Sequence, residues 1–363
     1  EPERCIQFAD LVCINEGEEV IVELANKLDA KTDITDIAGT LARKPDGSVI
    51  KNATRPLLKL DDIAIPDWNL DHYVHINNFK GKRTHIYPNN LGQEYPIMTQ
   101  RGCPFSCSFC IESRYQDMFG KKSSLRRRDI DLVLKELHWA KENLDIKSVL
   151  FYDDVFTVNP RWLKKFLPRY KAEIGLPFWC YTYPTTHDPE LLQQLKDAGM
   201  ISITMGVQSG SARILKEYFN RPTDTARVLE AAQEIVDLGP EVKGFFDLIS
   251  KVPFETEDDL RATFNFLLEL PKEFCTVGFG EMTNFPTYDF TEKVAREGEI
   301  ASKSAPSEAD YDYYHKLYLL TRSPMPMDDV RKVGEDPKYR ANHHLLDALI
   351  RNEDRLSFTG IFF

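Results

Sequence analysis

Long hydrophobic runs are missing from this sequence of 363 residues. Its apolar stretches fall well short of the roughly 20 residues that a helix needs to span a membrane. Positive charge is in the minority, since 46 Lys and Arg stand against 57 Asp and Glu, which gives a formal net charge of −11 and a sequence pI near 5.3. This balance argues against a broad basic face for nucleic acid. A secretory signal peptide and low-complexity segments are likewise not visible.

Cysteine is sparse, with seven residues in all, and three of them fall within eight positions. A secreted disulfide scaffold would be shorter and much richer in cysteine. Clustered thiols in an intracellular enzyme indicate a metal site instead. We therefore expect a reducing, cytoplasmic setting for this chain.

Strands and helices alternate regularly between about residues 95 and 290. The predicted strands are residues 96–100, 147–152, 178–182, 201–207, 242–249 and 274–283. The predicted helices are residues 129–144, 160–174, 189–198, 211–219, 223–238 and 256–270. This alternation indicates an α/β fold with a parallel sheet. Six units are too few for a closed eight-stranded barrel, so we expect a partial barrel with its chemistry at the carboxyl ends of the strands.

The first predicted strand leads directly into the segment Cys103-Pro-Phe-Ser-Cys107-Ser-Phe-Cys110. These spacings bring three thiolates around one centre, and thiolates suit zinc or iron–sulfur clusters. A structural zinc site needs four protein ligands, and no fourth cysteine or histidine lies near in the sequence. A [4Fe–4S] cluster on three thiolates keeps one iron open. The lack of a fourth ligand therefore favours a catalytic cluster over structural zinc or free thiols.

This Cys-x₃-Cys-x₂-Cys pattern after a first strand resembles the radical S-adenosylmethionine (radical SAM) superfamily, over roughly residues 95 to 290. The resemblance implies a six-stranded partial barrel and a [4Fe–4S] cluster on Cys103, Cys107 and Cys110. Its open iron would bind the methionine end of S-adenosylmethionine. The resemblance also implies reductive cleavage of this cofactor to a 5′-deoxyadenosyl radical, which abstracts hydrogen from the substrate.

Two segments match positions at which the family binds the cofactor's adenine and amino group. Phe109 resembles the aromatic residue whose backbone meets the adenine. Tyr152, Asp153 and Asp154 follow the second strand, where the family contacts the amino group of the methionine. Carboxylates suit a cationic amine, although a solvated strand end is the alternative interpretation.

A third segment, after the fourth strand, resembles the family motif that reaches the ribose. It contains Gln208 and Ser209. Members often have glutamate where this chain has Gln208, whose amide still bonds a hydroxyl. Arg213 and Arg221 follow the motif, either as cofactor contacts or as solvated charges on a helix.

A basic run follows the cysteine segment. It consists of Lys121, Lys122, Arg126, Arg127 and Arg128. The sequence leaves two interpretations open, a solvated loop or a contact to an anionic group of a cofactor or substrate.

Four segments make up the expected domain organisation. They are a domain tail over residues 1–29, an Asp46-Gly47 hairpin and linker over 30–94, the partial barrel over 95–290, and a helical C-terminal region over 291–363. Both chain ends resemble cuts through a longer protein.

The first segment resembles the end of a Rossmann-like cobalamin-binding domain. A strand over residues 10–15 leads into Glu16-Gly17-Glu18-Glu19 and then a helix to about Leu28. The Asp-x-His-x-x-Gly motif of such domains is missing. Cobalamin binding in the usual mode therefore needs an upstream domain.

This order of parts implies the cobalamin-linked branch, in which methylcobalamin supplies a methyl group to a carbon or phosphorus. The alternatives are radical cyclisation or rearrangement without methylation, a methylthiotransferase, and an electron-transfer iron–sulfur protein. A second cysteine triad and a basic C-terminal module are missing, which disfavours the methylthiotransferase. The expected partners are a small-molecule or natural-product substrate and a reductase or flavodoxin as electron donor, with no nucleic acid.

Overall fold

The computed structural model of the chain describes residues 1–67, 75–77, 82–84, 93–221, 223–301 and 305–352. Its strands are β1 (Leu11–Cys13), β2 (Thr40–Arg43), β3 (Val49–Lys51), β4 (His75–Asn77), β5 (Lys82–Thr84), β6 (Glu94–Ile97), β7 (Gln100–Arg101), β8 (Arg126–Arg127), β9 (Ser148–Phe151), β10 (Phe178–Thr182), β11 (Met200–Gln208), β12 (Lys243–Ser250) and β13 (Cys275–Glu281). Its α-helices are α1 (Pro2–Cys5), α2 (Glu18–Asp29), α3 (Ile111–Phe119), α4 (Lys121–Ser124), α5 (Ile130–Asn143), α6 (Pro160–Glu173), α7 (Pro189–Asp197), α8 (Thr225–Val236), α9 (Glu257–Glu269), α10 (Asp289–Ala301), α11 (Glu308–Thr321), α12 (Met327–Glu335), α13 (Pro337–Ala341) and α14 (Leu345–Asn352). A π-helical turn lies at Ile214–Tyr218.

Six of these strands form one parallel sheet in the order β13-β12-β11-β10-β9-β6. Sheet neighbours follow one another along the chain, because each helical connection returns to the same end of the sheet. The sheet curls into a half-barrel, which confirms the predicted α/β fold with a six-stranded partial barrel. Its first strand begins at Glu94, two residues before the predicted start.

Helix starts follow the side chains that the sequence places before them. The Asp188 side chain accepts a hydrogen bond from the backbone N of Leu191 at 2.8 Å, and Pro189 has no N–H to satisfy. Helix α7 ends before Gly199, whose φ of 110° favours glycine. Such an N-cap stabilises a helix by about 1 kcal/mol. The helix predicted between Asp188 and Gly199 is therefore confirmed.

The main core lies between the sheet and the helices α5 to α9. At one end of it the buried ring of Phe151 lies 5.2 to 5.7 Å, between centroids, from those of Phe166, Tyr170 and Phe178. Burying one such side chain stabilises the fold by about 1.5–3 kcal/mol. This packing holds the end of β9 in place, and candidate site residues follow there.

The N-terminal residues form a separate three-stranded antiparallel sheet, β1-β2-β3. The predicted hairpin is present, with Gly47 at a φ of 84° in its turn. Because β1 pairs with β2, backbone hydrogen bonds cross the expected boundary between residues 29 and 30. The linker also contains the pair β4–β5, which no sequence pattern indicates. The rest of the linker between residues 68 and 92 lies outside the described residues.

The chain after the sheet is helical through α14, as predicted, and residues 353–363 lie outside the described part. Tyr313, Tyr314 and Tyr318 on α11 are buried, and the Tyr318 hydroxyl donates to the Leu260 carbonyl on α9 at 2.8 Å. This region therefore packs against the outer layer of the half-barrel. Among the described helices, none has the length and apolarity that crossing a membrane requires.

Candidate active site

The cysteine segment lies between β7 and α3, after the carboxyl end of the first sheet strand. Strand β7 pairs with β8, which closes the base of the loop. Gly102 opens the loop with a φ of 92°, and a Cβ there would lie 2.2 Å from the Ser124 carbonyl oxygen. Only glycine fits this position. The three thiols that follow are free, with Cys107 buried and Cys103 and Cys110 half-buried.

Helix α3 holds the loop from one side. The Glu112 carboxylate accepts from the backbone N of Cys103 at 3.1 Å. The Gln116 side-chain amide donates to the carbonyls of Cys103 and Phe105 at 2.7 and 2.8 Å. Sequence reasoning misses Glu112 and Gln116. They are four residues apart on a helix that begins next to Cys110, which places both on one helix face. This spacing is the sequence feature that could have identified them.

The turn around residue 219 holds the loop from the other side. The Asn220 side-chain amide donates to the Ser106 carbonyl at 2.8 Å, and the Ser108 backbone N donates to the Phe219 carbonyl at 3.0 Å. The Phe109 ring packs edge-on against Phe219, with 4.6 Å between centroids. The loop backbone is thus fixed at several points. The contact of the Phe109 backbone to an adenine stays a prediction.

The cysteine thiols lie in a poorly solvated environment. Burial raises the pKa of Cys103 to about 12 and that of Cys110 to about 11, and the neighbouring thiols and Asp154 add to both shifts. Three thiols that influence one another in this way converge on one region. A thiol must lose its proton to bind metal, so the positive charge of bound iron is what would stabilise the three thiolates.

The donor set fits an iron–sulfur cluster better than a single ion. Within the described residues, no group of three or more Cys, His, Asp or Glu side chains is close enough to hold one metal ion. Ligands at about 2.3 Å from one zinc ion would crowd together. Each thiolate of a [4Fe–4S] cluster binds a different iron, so its ligands stand farther apart. Three free thiols on one loop offer one ligand to each of three irons.

The end of β9 carries two adjacent carboxylates with different environments. Asp153 is fully buried and accepts from the backbone N of Thr99 at 2.6 Å and of Gln100 at 2.9 Å. Burial nevertheless raises its pKa to about 6. Asp154 instead reaches solvent inside a cavity, whose walls raise its pKa. Asp153 therefore positions the chain before the cysteines, and Asp154 and the exposed Tyr152 remain the groups open to a cofactor.

The ends of β11 and β12 place an amide beside a carboxylate. Gln208 has a φ of 71°, which is rare for a residue with a side chain. Its amide nitrogen lies 3.3 and 3.4 Å from the two carboxylate oxygens of Asp247. Burial raises the pKa of Asp247. In the sequence, Asp247 belongs to the Asp247-Leu248-Ile249 segment, which resembles the fifth-strand segment of the family, but it is not among the predicted site residues.

Two predicted contacts near this motif have partners within the protein. The buried Ser209 hydroxyl lies 3.5 Å from that of Thr263 on α9. The Arg213 guanidinium pairs with Asp259 and donates to the Phe254 carbonyl at 2.8 Å. Both side chains are directed toward α9, so a cofactor contact through either of them stays a prediction.

The arginines of the basic run are partly buried rather than freely solvated. Arg126 pairs with Glu16 at 2.7 Å, and the same carboxylate pairs with Arg101 at 2.8 Å. Arg128 pairs with Glu136 at 2.6 Å. The interpretation as a solvated loop is therefore wrong for these arginines. They bind the protein itself, and Arg126 attaches the N-terminal residues to β8 beside the cysteine loop.

A cavity of about 540 Å³ opens between the N-terminal residues and the cysteine loop. Its walls include Asn15, Glu16, Gly17, Glu18, Met98, Arg101, Gly102, Glu112, Tyr115, Arg126 and Asp154. A smaller cavity of about 210 Å³ lies against α11. The larger of these two lies beside the cysteine loop, whereas the smaller one is lined by Gln208 and Ser209 of the predicted ribose segment.

Residues 97–267 match the model of the radical SAM superfamily. This range begins in β6, contains the cysteine loop and ends in α9.

Two curated proteins and one solved structure illustrate the similarity. An uncharacterized methyltransferase of Pyrococcus horikoshii is 28% identical over 263 residues, which are 72% of this chain and 53% of that protein. Cytidylyl-2-hydroxyethylphosphonate methyltransferase of Streptomyces wedmorensis is 26% identical over 302 residues, covering 74% of this chain and 54% of that protein. The chain thus spans about half the length of these relatives.

The solved structure is the radical S-adenosylmethionine methyltransferase TsrM of Kitasatospora setae with cobalamin and a [4Fe–4S] cluster bound. It superposes with a TM-score of 0.61 at 17% identity, over 79% of this chain and 56% of that one. At this identity the similarity establishes a shared fold.

Proposed function

Because the chain belongs to the radical SAM superfamily, we propose that it forms the catalytic part of a radical SAM enzyme that carries out a cobalamin-linked methyl transfer. The observation that carries this proposal is the set of three free thiols on one rigid loop at the carboxyl end of a parallel half-barrel. A [4Fe–4S] cluster held by these thiols would supply the one electron that is needed to cleave S-adenosylmethionine into methionine and a 5′-deoxyadenosyl radical, which abstracts hydrogen from the substrate.

The residues of this chain divide the work of binding. Cys103, Cys107 and Cys110 would hold the cluster. Asp154 would accept from the cofactor's amino group, because its carboxylate is open to the cavity beside the thiols. Gln208 would present its amide oxygen to a ribose hydroxyl, because its nitrogen is turned toward Asp247.

Other residues named for cofactor binding would act through positioning. Asp153 fixes Thr99 and Gln100 just before the cysteines. Ser209 and Arg213 fix the turn after β11 against α9. These contacts hold the ends of β9 and β11 at constant distance from the loop, which a reaction of a short-lived radical requires.

Methyl transfer is supported by the relatives, since both curated ones are named methyltransferases and the solved one binds cobalamin. The cavity between the N-terminal residues and the cysteine loop would let a methyl donor approach the radical site. The Glu16-Gly17-Glu18 turn would form one wall. The remaining contacts to cobalamin would come from outside the matched range.

The first test is anaerobic reconstitution with iron and sulfide, followed by measurement of 5′-deoxyadenosine with S-adenosylmethionine and dithionite. We expect cluster-dependent product that is lost in Cys107→Ala. Cys275→Ala is the matched control, because Cys275 is a free, half-buried thiol outside the loop. Binding of one zinc ion, or a cluster that never cleaves the cofactor, would refute the proposal.

A second measurement separates methyl transfer from cyclisation. Methyl transfer from the sulfonium of S-adenosylmethionine leaves S-adenosylhomocysteine, whereas a radical cyclisation needs only 5′-deoxyadenosine formation. The protein is incubated with added hydroxocobalamin, reductant and S-adenosylmethionine, its absorbance spectrum establishes that cobalamin is bound, and both products are then quantified. Absence of S-adenosylhomocysteine beside abundant 5′-deoxyadenosine would favour the reaction without methylation.

A further inference from the structure

One arginine outside the cysteine loop lies directly against a cluster ligand. Arg221 follows the π-helical turn, and only 6% of its surface is exposed. Its backbone N donates to the Leu215 carbonyl at 2.8 Å, so its position along the chain is fixed. Its Nη1 lies 3.9 Å from the Cys107 sulfur, within reach of an N–H···S hydrogen bond.

The rest of the guanidinium is held in place by neutral groups. Its Nη2 donates to the Gly206 carbonyl on β11. Its flat face lies 4.3 Å from the centre of the Tyr183 ring. That ring in turn stacks on Phe105 of the cysteine loop, with 3.7 Å between centroids. The arginine is therefore sandwiched between the sheet and the loop, and its orientation toward the sulfur is fixed.

The positive charge of Arg221 is not neutralised at close range. No ion pair between described residues includes it. The carboxylate of Asp247 is the charge that compensates Arg221 at longer range, because burial raises the pKa of Asp247 and the positive charge of Arg221 lowers it. That carboxylate also accepts from the Gln208 amide. A buried cation without a carboxylate in direct contact is expensive unless a further anion completes the site. Three thiolates on the neighbouring loop would supply negative charge in that place.

We propose that Arg221 raises the reduction potential of the iron–sulfur cluster through its charge and its N–H···S bond to Cys107. The inference rests on the proposed function, since it requires a cluster on this loop. Reduction adds one electron to the oxidised cluster and so one negative charge. A fixed cation with a hydrogen bond to a ligand sulfur stabilises the reduced form more than the oxidised form. Arg221 is a positioning residue that acts on the cluster through its ligand.

The competing role for Arg221 is binding of the carboxylate of S-adenosylmethionine. The two roles separate in protein free of that cofactor, because only the effect on the cluster persists there. The measurement is a redox titration of the reconstituted protein with dithionite and mediators, followed by electron paramagnetic resonance of the reduced cluster. No S-adenosylmethionine is added.

We expect Arg221→Gln to lower the ratio of reduced to oxidised cluster at a fixed potential by about tenfold, which corresponds to about 59 mV for one electron. Arg221→Lys keeps the charge but loses the planar fork and should shift the ratio less. Arg114→Gln is the matched control. Arg114 is on α3 near the loop, pairs with Asp117 at 3.1 Å and should leave the potential unchanged.

A wild-type potential in Arg221→Gln with full iron content would overturn the inference and leave cofactor binding as the role of Arg221. If the glutamine variant does not retain iron, Arg221→Lys decides, because a wild-type potential there refutes the N–H···S bond as the tuning contact. Absence of any reducible cluster in the wild-type protein would instead refute the proposed function. The two failures are therefore distinguishable.

Discussion

Replacing Asp153 by alanine tests how the half-barrel positions the cysteine loop. This carboxylate is fully buried. One of its oxygens accepts from the backbone N of Thr99 and of Gln100, and the other accepts from the Thr99 hydroxyl. It also interacts with Arg127, the pKa of which burial lowers to about 10. Alanine removes every one of these acceptors without disturbing β9 itself.

The expected loss follows from the groups left without partners. Each buried N–H without an acceptor costs about 1–3 kcal/mol. With two backbone N–H groups and one hydroxyl affected, Asp153→Ala should lower the free energy of unfolding by about 3–9 kcal/mol. Asp153→Asn keeps one oxygen for both N–H groups, so we expect a loss of only about 1–2 kcal/mol.

Urea unfolding of the apoprotein under anaerobic conditions, followed by circular dichroism, measures these differences. Iron bound after reconstitution is measured on the same variants. Asp154→Ala is the control, because the neighbouring carboxylate reaches solvent and should change stability by less than about 0.5 kcal/mol. A loss in Asp153→Ala no larger than in Asp154→Ala would refute the positioning role. Equal losses in the alanine and asparagine variants would show that the charge and not the hydrogen bonds matters.

Three further predictions follow. Gly102→Ala should abolish iron binding after reconstitution, because the added Cβ would overlap a backbone carbonyl. Gly47 lies in open space, so Gly47→Ala should lower the free energy of unfolding by only about 1 kcal/mol. Full iron content in Gly102→Ala would contradict this prediction. Glu16→Gln should lower the free energy of unfolding by about 1–3 kcal/mol, because it weakens the bonds to two half-buried arginines. Glu19 belongs to a more exposed pair, so Glu19→Gln should lower it by less than about 1 kcal/mol. Equal losses in the two variants would count against the ion-pair argument. Burial raises the pKa of Glu255 to about 8. The folded protein therefore holds a proton that the unfolded chain releases above about pH 4.5. The free energy of unfolding should fall as pH rises from about 4.5 to about 8. Glu255→Gln should flatten this decline in urea unfolding at a series of pH values, and an unchanged slope would refute the assignment.

Much of the fold was predictable because local signals and the global architecture agree. Regular alternation of strands and helices specifies a parallel sheet, and the caps before α5 and α7 specify where helices begin. The cysteine loop was predictable for the same reason, since its three ligands are close in sequence. The order of the six strands then needed no long-range information, because neighbours in the sheet are neighbours along the chain.

The remainder depends on partners far apart in sequence. Asp153 and Asp154 look alike in the sequence, and only burial separates a positioning carboxylate from one that is open to a ligand. Arg126 reads as one member of a basic run, yet its partner Glu16 lies 110 positions away. The contact between Arg221 and Cys107 spans 114 positions. Sequence periodicity carries no information about such pairs.

The double pairing of Glu16 bears on how modular this protein is. Its carboxylate joins Arg101, just before the cysteine loop, to Arg126, just after it, and it also accepts from the Leu58 backbone. The N-terminal residues therefore hold both ends of the loop segment in place through one carboxylate. A shortened protein cut at either side of the linker would keep all three cysteines but leave both arginines without their shared counter-charge. Recombining the half-barrel with a different N-terminal unit would succeed only where the incoming unit supplies an acid at the place of Glu16.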